Sequence, residues 1–400
     1  MPHSHHSHSG QFCSHAKDTL SEVLSRAHSL GFTHFHLSEH VPRHSLIHLY
    51  PEEIEAGKTP EDLEATFSDY LTHARQLQSS YMGKMEVLVG CESENIKGDR
   101  SIDELLRILS DHQVRGGDPL PTSNASLPSS SQHPSVAGLG VVDYVVGSVH
   151  HSNSIPIDFD PPTFQKALDS FQAEAPAAAG GNQDGDMSLS SYDRLMIDYF
   201  DSQYDTMKRL RPEVIGHFDL CRLYFPSKRL ELSRKEAISQ GGGDGGDQEE
   251  DDPIWSRVRR NVEYAASYGA LFECNAASFR KGWSSAYPGK EVLELIKAVR
   301  GRLCLSDDSH GVQAVALNYH KLRPYLRESG VEEIWYLERD DERRAIDIEA
   351  EEALRLERIR SEAPGTGAPT RFPRGTKAIR MGREWMEHAF WDRYEAIVGV

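Results

Sequence analysis

The sequence predicts a mixed α/β fold built on a mostly parallel sheet, and three observations carry that expectation. Short apolar runs alternate with helical patterns along most of the 400 residues. That βαβα rhythm implies parallel strands joined by helices, wound as a barrel or as an open, doubly wound sheet. The length suits one α/β barrel enlarged by surface excursions.

The elements follow in order. Leu20, Val23, Leu24, Ala27 and Leu30 keep the spacing of one helix face, with Thr19 and Glu22 as a capping box and Gly31 as a stop. Thr33 to Ser38 alternates like a strand and delivers Glu39 and His40. A second helix is expected over Leu63 to Leu77, then a buried strand from Met85 to Cys91 ending in Glu92, and a helix capped by Ser101 and Glu104. Val141 to Val149 reads as a strand leading to His150 and His151. A helix from Tyr192 to Leu210 and a short strand at Val214-Ile215 lead to His217. Residues 254–268 read as helix, Leu271 to Cys274 as strand, Glu291 to Val299 as helix, and Leu303 to Ser306 as a strand running into Asp307-Asp308-Ser309-His310.

Three stretches interrupt this rhythm. Residues 115–138 are rich in Gly, Pro and Ser, 173–190 in Ala and Gly, and 240–252 in Gly and acids. They read as insertions, the first and third mobile. The expected main unit is 1–337. Beyond it, 338–361 reads as a charged helix, followed by a linker and a closing amphipathic helix with Trp385, Phe390 and Trp391.

A formal charge of -18 argues against a protein that tracks nucleic-acid backbones, which needs a basic footprint. Five scattered cysteines without a C-x-x-C imply a reducing compartment. The polar, His-rich start does not resemble a signal peptide, and no apolar run is long enough for a membrane span. A cytoplasmic protein is expected, with neither nucleic acid nor membrane as partner. The glycine run from Gly241 to Gly246 lacks the Lys-Ser/Thr of a phosphate-binding loop.

The chemistry sits at the strand ends. His6, His8, His40, Glu92, His150, His217, Asp308 and His310 each follow an apolar run, and His15 joins them from the first loop. The carboxyl ends of parallel strands open onto one face, where such groups would gather. His6-Ser7-His8 and Asp308-Ser309-His310 place paired side chains on one face of an extended chain, and Glu92 can bridge two ions through its two oxygens. Mixed imidazole and carboxylate ligands suit Zn, Fe or Mn better than Ca or Mg. Each piece has a bland alternative: low complexity at the start, or a hydrogen-bonded structural histidine. Nine such residues in register with six strand ends do not arise easily from those accidents together.

The segments HSHSGQFCSH, LSEH, VGCESE, VGSVHH, IGHFDL, ECNAAS and LSDDSH resemble, in order, the motifs of the polymerase-and-histidinol-phosphatase (PHP) superfamily, and most closely its fungal histidinol-phosphatase branch. The resemblance runs over roughly residues 3–320. It implies a distorted TIM-like barrel of about seven β/α units holding three divalent ions. His6, His8, Glu92 and Asp308 would bind the first, Glu92, His150 and His217 the second, and His15, His40 and His310 the third. It implies hydrolysis of L-histidinol phosphate to L-histidinol and phosphate in histidine biosynthesis.

For that chemistry a cation supplies hydroxide at neutral pH by lowering the pKa of its water. Arg222, after the GHFDL motif, is the first candidate for phosphate and Arg43 the second. Glu273 and Asn275 are candidates for the substrate's ammonium or imidazole, or else for hydrogen bonds within the rim. Asp307, His151 or a water could protonate the leaving alkoxide. Cys13 and Cys91 lie beside ligands without being needed as ligands. The competing readings are a related phosphoesterase for another small phosphorylated substrate, and a metal-binding protein without turnover.

Overall fold

The computed structural model describes residues 2–113, 141–172, 189–225, 252–340 and 370–400. The bulk of all three expected insertions and of the charged segment after 340 lies outside the described residues. Among those described, no helix is long and apolar enough to cross a membrane.

The fold is mixed α/β around a parallel sheet. Its strands are β1 (His3–Ser4), β2 (Ser7–His8), β3 (His34–Phe35), β4 (Gly90–Glu92), β5 (Tyr144–Gly147), β6 (His151–Ser152), β7 (Ile155–Pro156), β8 (Val214–Ile215), β9 (Leu271–Asn275), β10 (Arg302–Ser306) and β11 (Ser309–His310). Five of them pair in parallel in the order β10-β9-β8-β5-β4. β3 pairs in parallel with β1, and β11 with β2. Isolated parallel bridges, His34 to Glu86, Leu37 to Val89 and His40 to Glu92, join the β3 segment to the β4 segment.

Local chemistry explains the elements. In the helix Leu20–Leu30 both halves of the Thr19–Glu22 capping box form, and Gly31 ends it at φ 93°. Leu20, Val23, Leu24, Ala27 and Leu30 are all buried, each larger side chain contributing roughly 1.5–3 kcal/mol. The helices Pro60–Ser80, Ser191–Leu210 and Pro253–Tyr268 also start on side-chain caps, from Thr59, Ser190 and Asp252.

Strand alternation divides two cores. Val89, Cys91, Val145, Phe272, Cys274, Leu303 and Leu305 pack against the helices. Leu88, Tyr144, Val146, Val214, Leu271 and Cys304 pack instead against Trp335, Leu337, Phe372 and Ala378. These last four belong to an antiparallel sheet, β12-β14-β13, formed by β12 (Ile334–Arg339), β13 (Thr370–Phe372) and β14 (Thr376–Met381). The sequence reading missed this sheet: residues 338 and 339 extend a strand, where the charge density suggested a helix start. The closing helix is present at Phe390–Val398, with Trp385 on a preceding 3-10 turn.

A column of stacked histidines joins the two cores. His3 stacks on His5 at 4.9 Å and His5 on His36 at 4.6 Å. His36 Nδ1 accepts from Leu88 N and Nε2 donates to Leu337 O, each at 3.1 Å, while His5 Nε2 accepts from Leu337 N. Burial, reinforced by His34, pushes the His36 pKa down to about 3 from 6.5. Between those values the unfolded chain binds a proton that the fold does not, so stability rises with pH across that window by ~1.4 kcal/mol per unit. The His36→Gln variant should be less stable at neutral pH yet show a shallower slope between pH 4 and 6 in urea titrations. An unchanged slope would rule the account out.

Candidate metal centre

Glu92, at the end of β4, is the hub. Its Oε1 lies 3.1 Å from His6 Nε2, His150 Nε2 and His217 Nε2. Its Oε2 lies 3.1 Å from His40 Nδ1 and 3.3 Å from His8 Nε2. Asp308 Oδ1 stands 3.6 Å from His6 Nε2 and 3.8 Å from His8 Nε2. Asp308 has φ 47°, a left-handed conformation that Asp tolerates better than most residues.

These atoms fit cations. His6 Nε2 and both ring nitrogens of His8 and of His40 are buried without a hydrogen-bond partner, a costly state unless something accepts their lone pairs. Two nitrogens or oxygens on one ion at ~2.0–2.1 Å stand about 3 Å apart, the spacing seen around Glu92. Among the described residues, five overlapping groups of donors lie close enough to share an ion: His6, His8 and Asp308; Glu92, His150 and His217; Cys13, His15, His40 and His310; His8, His40 and Glu92; and His8, Cys13 and Glu39. The nine residues anticipated from the sequence are therefore brought together.

Behind the imidazoles stands a ring of carboxylates. Glu273 lies 3.1 Å from His6 Nδ1, Glu39 3.4 Å from His8 Nδ1, Glu94 3.3 Å from His150 Nδ1, and Glu52 3.2 Å from His15 Nδ1. Such partners set the tautomer and orientation of ligating histidines. Glu39, Glu52 and Glu94 were not foreseen. Glu94 had a signal, two residues after Glu92 just beyond the end of the same strand.

The electrostatics agree with a clustered charge system. Burial alone would raise Glu92, but His6, His150 and His40 hold it well below the ordinary carboxylate range. Burial lowers His6 and His150, yet Glu92 and the other carboxylates carry both well above the usual imidazole value. Burial and His8 push His40 well below it.

The six other candidate residues are placed as follows. Arg222 is buried, 2.5 Å from both Asp219 Oδ2 and Glu291 Oε1, and does not line the cavity over the centre. Arg43 pairs with Glu53 and lies over the Tyr50 ring, facing a smaller recess beside His15 and His40. Glu273 is spent on His6 and on the backbone N–H of His217, at 2.5 Å. That approach needs Gly216, where a Cβ would stand 3.3 Å from Glu273 Oε1 and 2.1 Å from Ser148 Oγ. Asn275 bonds Ala277 N and reaches Glu273 and Asp308, so it braces ligands. Asp307 continues the alternation of Leu303 and Leu305, away from Asp308. Its oxygens accept from Ser4 Oγ and Ala316 N, both at 2.6 Å. His151 is buried, 3.0 Å from Glu94 Oε1.

A cavity of about 390 Å³ opens over the centre. His15, His40, Glu92, His150, His217, Asp308 and His310 form its floor, and Tyr50, Asp158, Phe159, Arg280, Lys281 and Tyr287 stand on its walls. Its size suits a small ligand. The wall residues follow no strand-end pattern, and the sequence carried no sign of them.

A family model described as PHP domain matches residues 4–277. A Schizosaccharomyces pombe protein described as "probable histidinol-phosphatase" is 39% identical over 339 residues, covering 85% of this chain and 90% of the relative. A histidinol-phosphatase of Saccharomyces cerevisiae is 30% identical over 357 residues, covering 84% and 91%. A crystal structure from Listeria monocytogenes, of a protein assigned as a histidinol phosphatase, superposes with a TM-score of 0.54 at 16% identity, covering 80% of this chain and 99% of that one. That last likeness speaks to the fold alone.

Proposed function

The chain belongs to the PHP domain family, and on that premise we propose that it hydrolyses L-histidinol phosphate to L-histidinol and phosphate in histidine biosynthesis. The phosphatase assignment follows from identity that spans most of both chains with its curated relatives. The observation that carries it to this site is the convergence of overlapping donor groups around Glu92, beneath and on the floor of one cavity.

The proposed centre holds three divalent ions of Zn, Fe or Mn type, on the ligand sets read from the sequence. The proposed architecture is a distorted barrel of seven β/α units. Its support is the parallel pairing that runs from β10 through β9, β8, β5 and β4, with bridges to β3 and pairings β3 to β1 and β11 to β2.

When bound, the ions would polarise the phosphoryl group and activate the attacking water. The chain's own groups supply the rest. Arg280 and Lys281, exposed at the mouth, favour arrival of a phosphate dianion. Glu273, Glu39 and Glu94 hold His6, His8 and His150 in register. The Tyr287 hydroxyl is buried on the wall without a hydrogen-bond partner, and burial raises its pKa well above 10. It therefore keeps its proton and can donate to a phosphoryl or leaving-group oxygen, a place neither Asp307 nor His151 occupies.

The test is phosphate release from a panel of monoesters by protein loaded with manganese or zinc, beside Asp308→Asn. Turnover concentrated on L-histidinol phosphate and lost in the variant is expected. Preference for another ester would keep the chemistry and discard the substrate. No metal-dependent turnover on any ester would sink the proposal.

A further inference from the structure

We propose that Cys13 is a direct ligand, through its thiolate sulfur, of the cation held by His15, His40 and His310. The family resemblance gives that ion three imidazoles only, and the inference rests on the reading that this centre holds divalent ions.

Position comes first. Cys13 Sγ and one nitrogen from each of His15, His40 and His310 all lie within 4.8 Å of one another, and Sγ stands 3.2 Å from His15 Nε2. A tetrahedral ion with sulfur at ~2.3 Å and nitrogens at ~2.0–2.1 Å sets its donors about 3.5 Å apart, so one ion can reach all four.

The loop that carries Cys13 is built tightly. Gly10 N donates to Lys17 O at 3.0 Å, Cys13 N to Ser9 O at 2.8 Å and Ala16 N to Cys13 O at 3.1 Å. A Cβ on Gly10 would stand 2.7 Å from Lys17 Cα, so only glycine lets the loop close this far. The closure turns Cys13 and His15, two residues apart, toward the same point.

The surroundings supply an independent sign. Both ring nitrogens of His40 are buried and without hydrogen-bond partners. Nearby, His8 Nε2, on a side chain 1% exposed, is likewise without a hydrogen bond, while His8 Nδ1 and Glu39 Oε2 face each other at 3.4 Å. A buried thiol packed as a small apolar group would not be surrounded by unsatisfied donors and acceptors. The other four cysteines are buried within the two hydrophobic cores, and Cys91, next to Glu92, faces the helices.

On ligation the thiol proton passes to solvent and the freed sulfur lone pair forms the bond to the ion. Three imidazoles and a thiolate make a soft tetrahedral set, which favours zinc over manganese at this position.

Cobalt(II) titration of the metal-free full chain tests this without reference to turnover. A thiolate-to-cobalt charge-transfer band should grow in the near ultraviolet and be lost in Cys13→Ser, while visible cobalt bands from the remaining positions persist. Visible bands with no charge-transfer band in the unaltered protein would overturn the assignment and leave the metal centre standing. No cobalt uptake would overturn both. Should Cys13→Ser not fold, zinc X-ray absorption of the unaltered protein decides: a sulfur shell at ~2.3 Å is expected, and nitrogen and oxygen shells alone refute the ligand.

Discussion

The Glu92→Gln variant should lose metal-dependent turnover, by about a thousandfold or more in kcat, with little change in fold content. The size follows from Glu92's position. It is the carboxylate that faces His6, His8, His40, His150 and His217 together, at 3.1–3.3 Å. Gln keeps the shape and one acceptor oxygen but removes the charge and turns a donor N–H₂ toward imidazole nitrogens. Two of the proposed ion positions would then lose their shared carboxylate at once. Lewis-acid stabilisation is worth several kcal/mol, and ~4 kcal/mol corresponds to about a thousandfold. Steady-state assays with metal analysis of both proteins make the check. Retained turnover with full metal content would show that Glu92 is a structural acid, and the reading of the centre would fall with it.

Much of this centre was legible in the chain because parallel strands impose a rule: whatever follows an apolar run arrives at one rim. His6, His8, Glu92, His150, His217 and Asp308 obeyed it. What the rule cannot see is the second partner of each side chain. Arg222 follows a strand end like a ligand, yet Asp219, three residues earlier on the same 3-10 turn, and Glu291 from a distant helix neutralise it. Asp307 differs from Asp308 by one position, and strand alternation turns it to Ser4 and Ala316. The sheet Ile334–Arg339 with Thr376–Met381 was obscured by local charge, because its burial comes from Leu88, Tyr144 and Val214, far away in sequence. Local pattern encodes periodicity and rim position; long-range pairing decides which polar groups remain free.

The substrate end of the cavity leads to the second large effect: Asp158→Asn should reduce kcat/KM for L-histidinol phosphate by about 10- to 100-fold, while kcat/KM for monoesters of neutral alcohols stays near its original value. Of the three carboxylates among the described residues that line the cavity, Glu92 and Asp308 are engaged by imidazoles on the floor. Asp158 stands apart on the wall, with Tyr50 and Phe159 beside it. Its placement is firm. The hairpin β6–β7 directly follows His150, Ile157 N donates to His150 O at 2.9 Å, and Asp160 caps the helix Pro161–Asp169. A candidate metal ligand and the wall carboxylate are thus fixed by one short element, and the distance between phosphoryl and cationic ends becomes a property of the backbone. A charge-assisted hydrogen bond to the substrate's ammonium is worth roughly 1.5–3 kcal/mol, which sets the predicted range. Equal losses on charged and neutral esters would make Asp158 a general support of the wall, and the cationic end would have to be sought elsewhere on it.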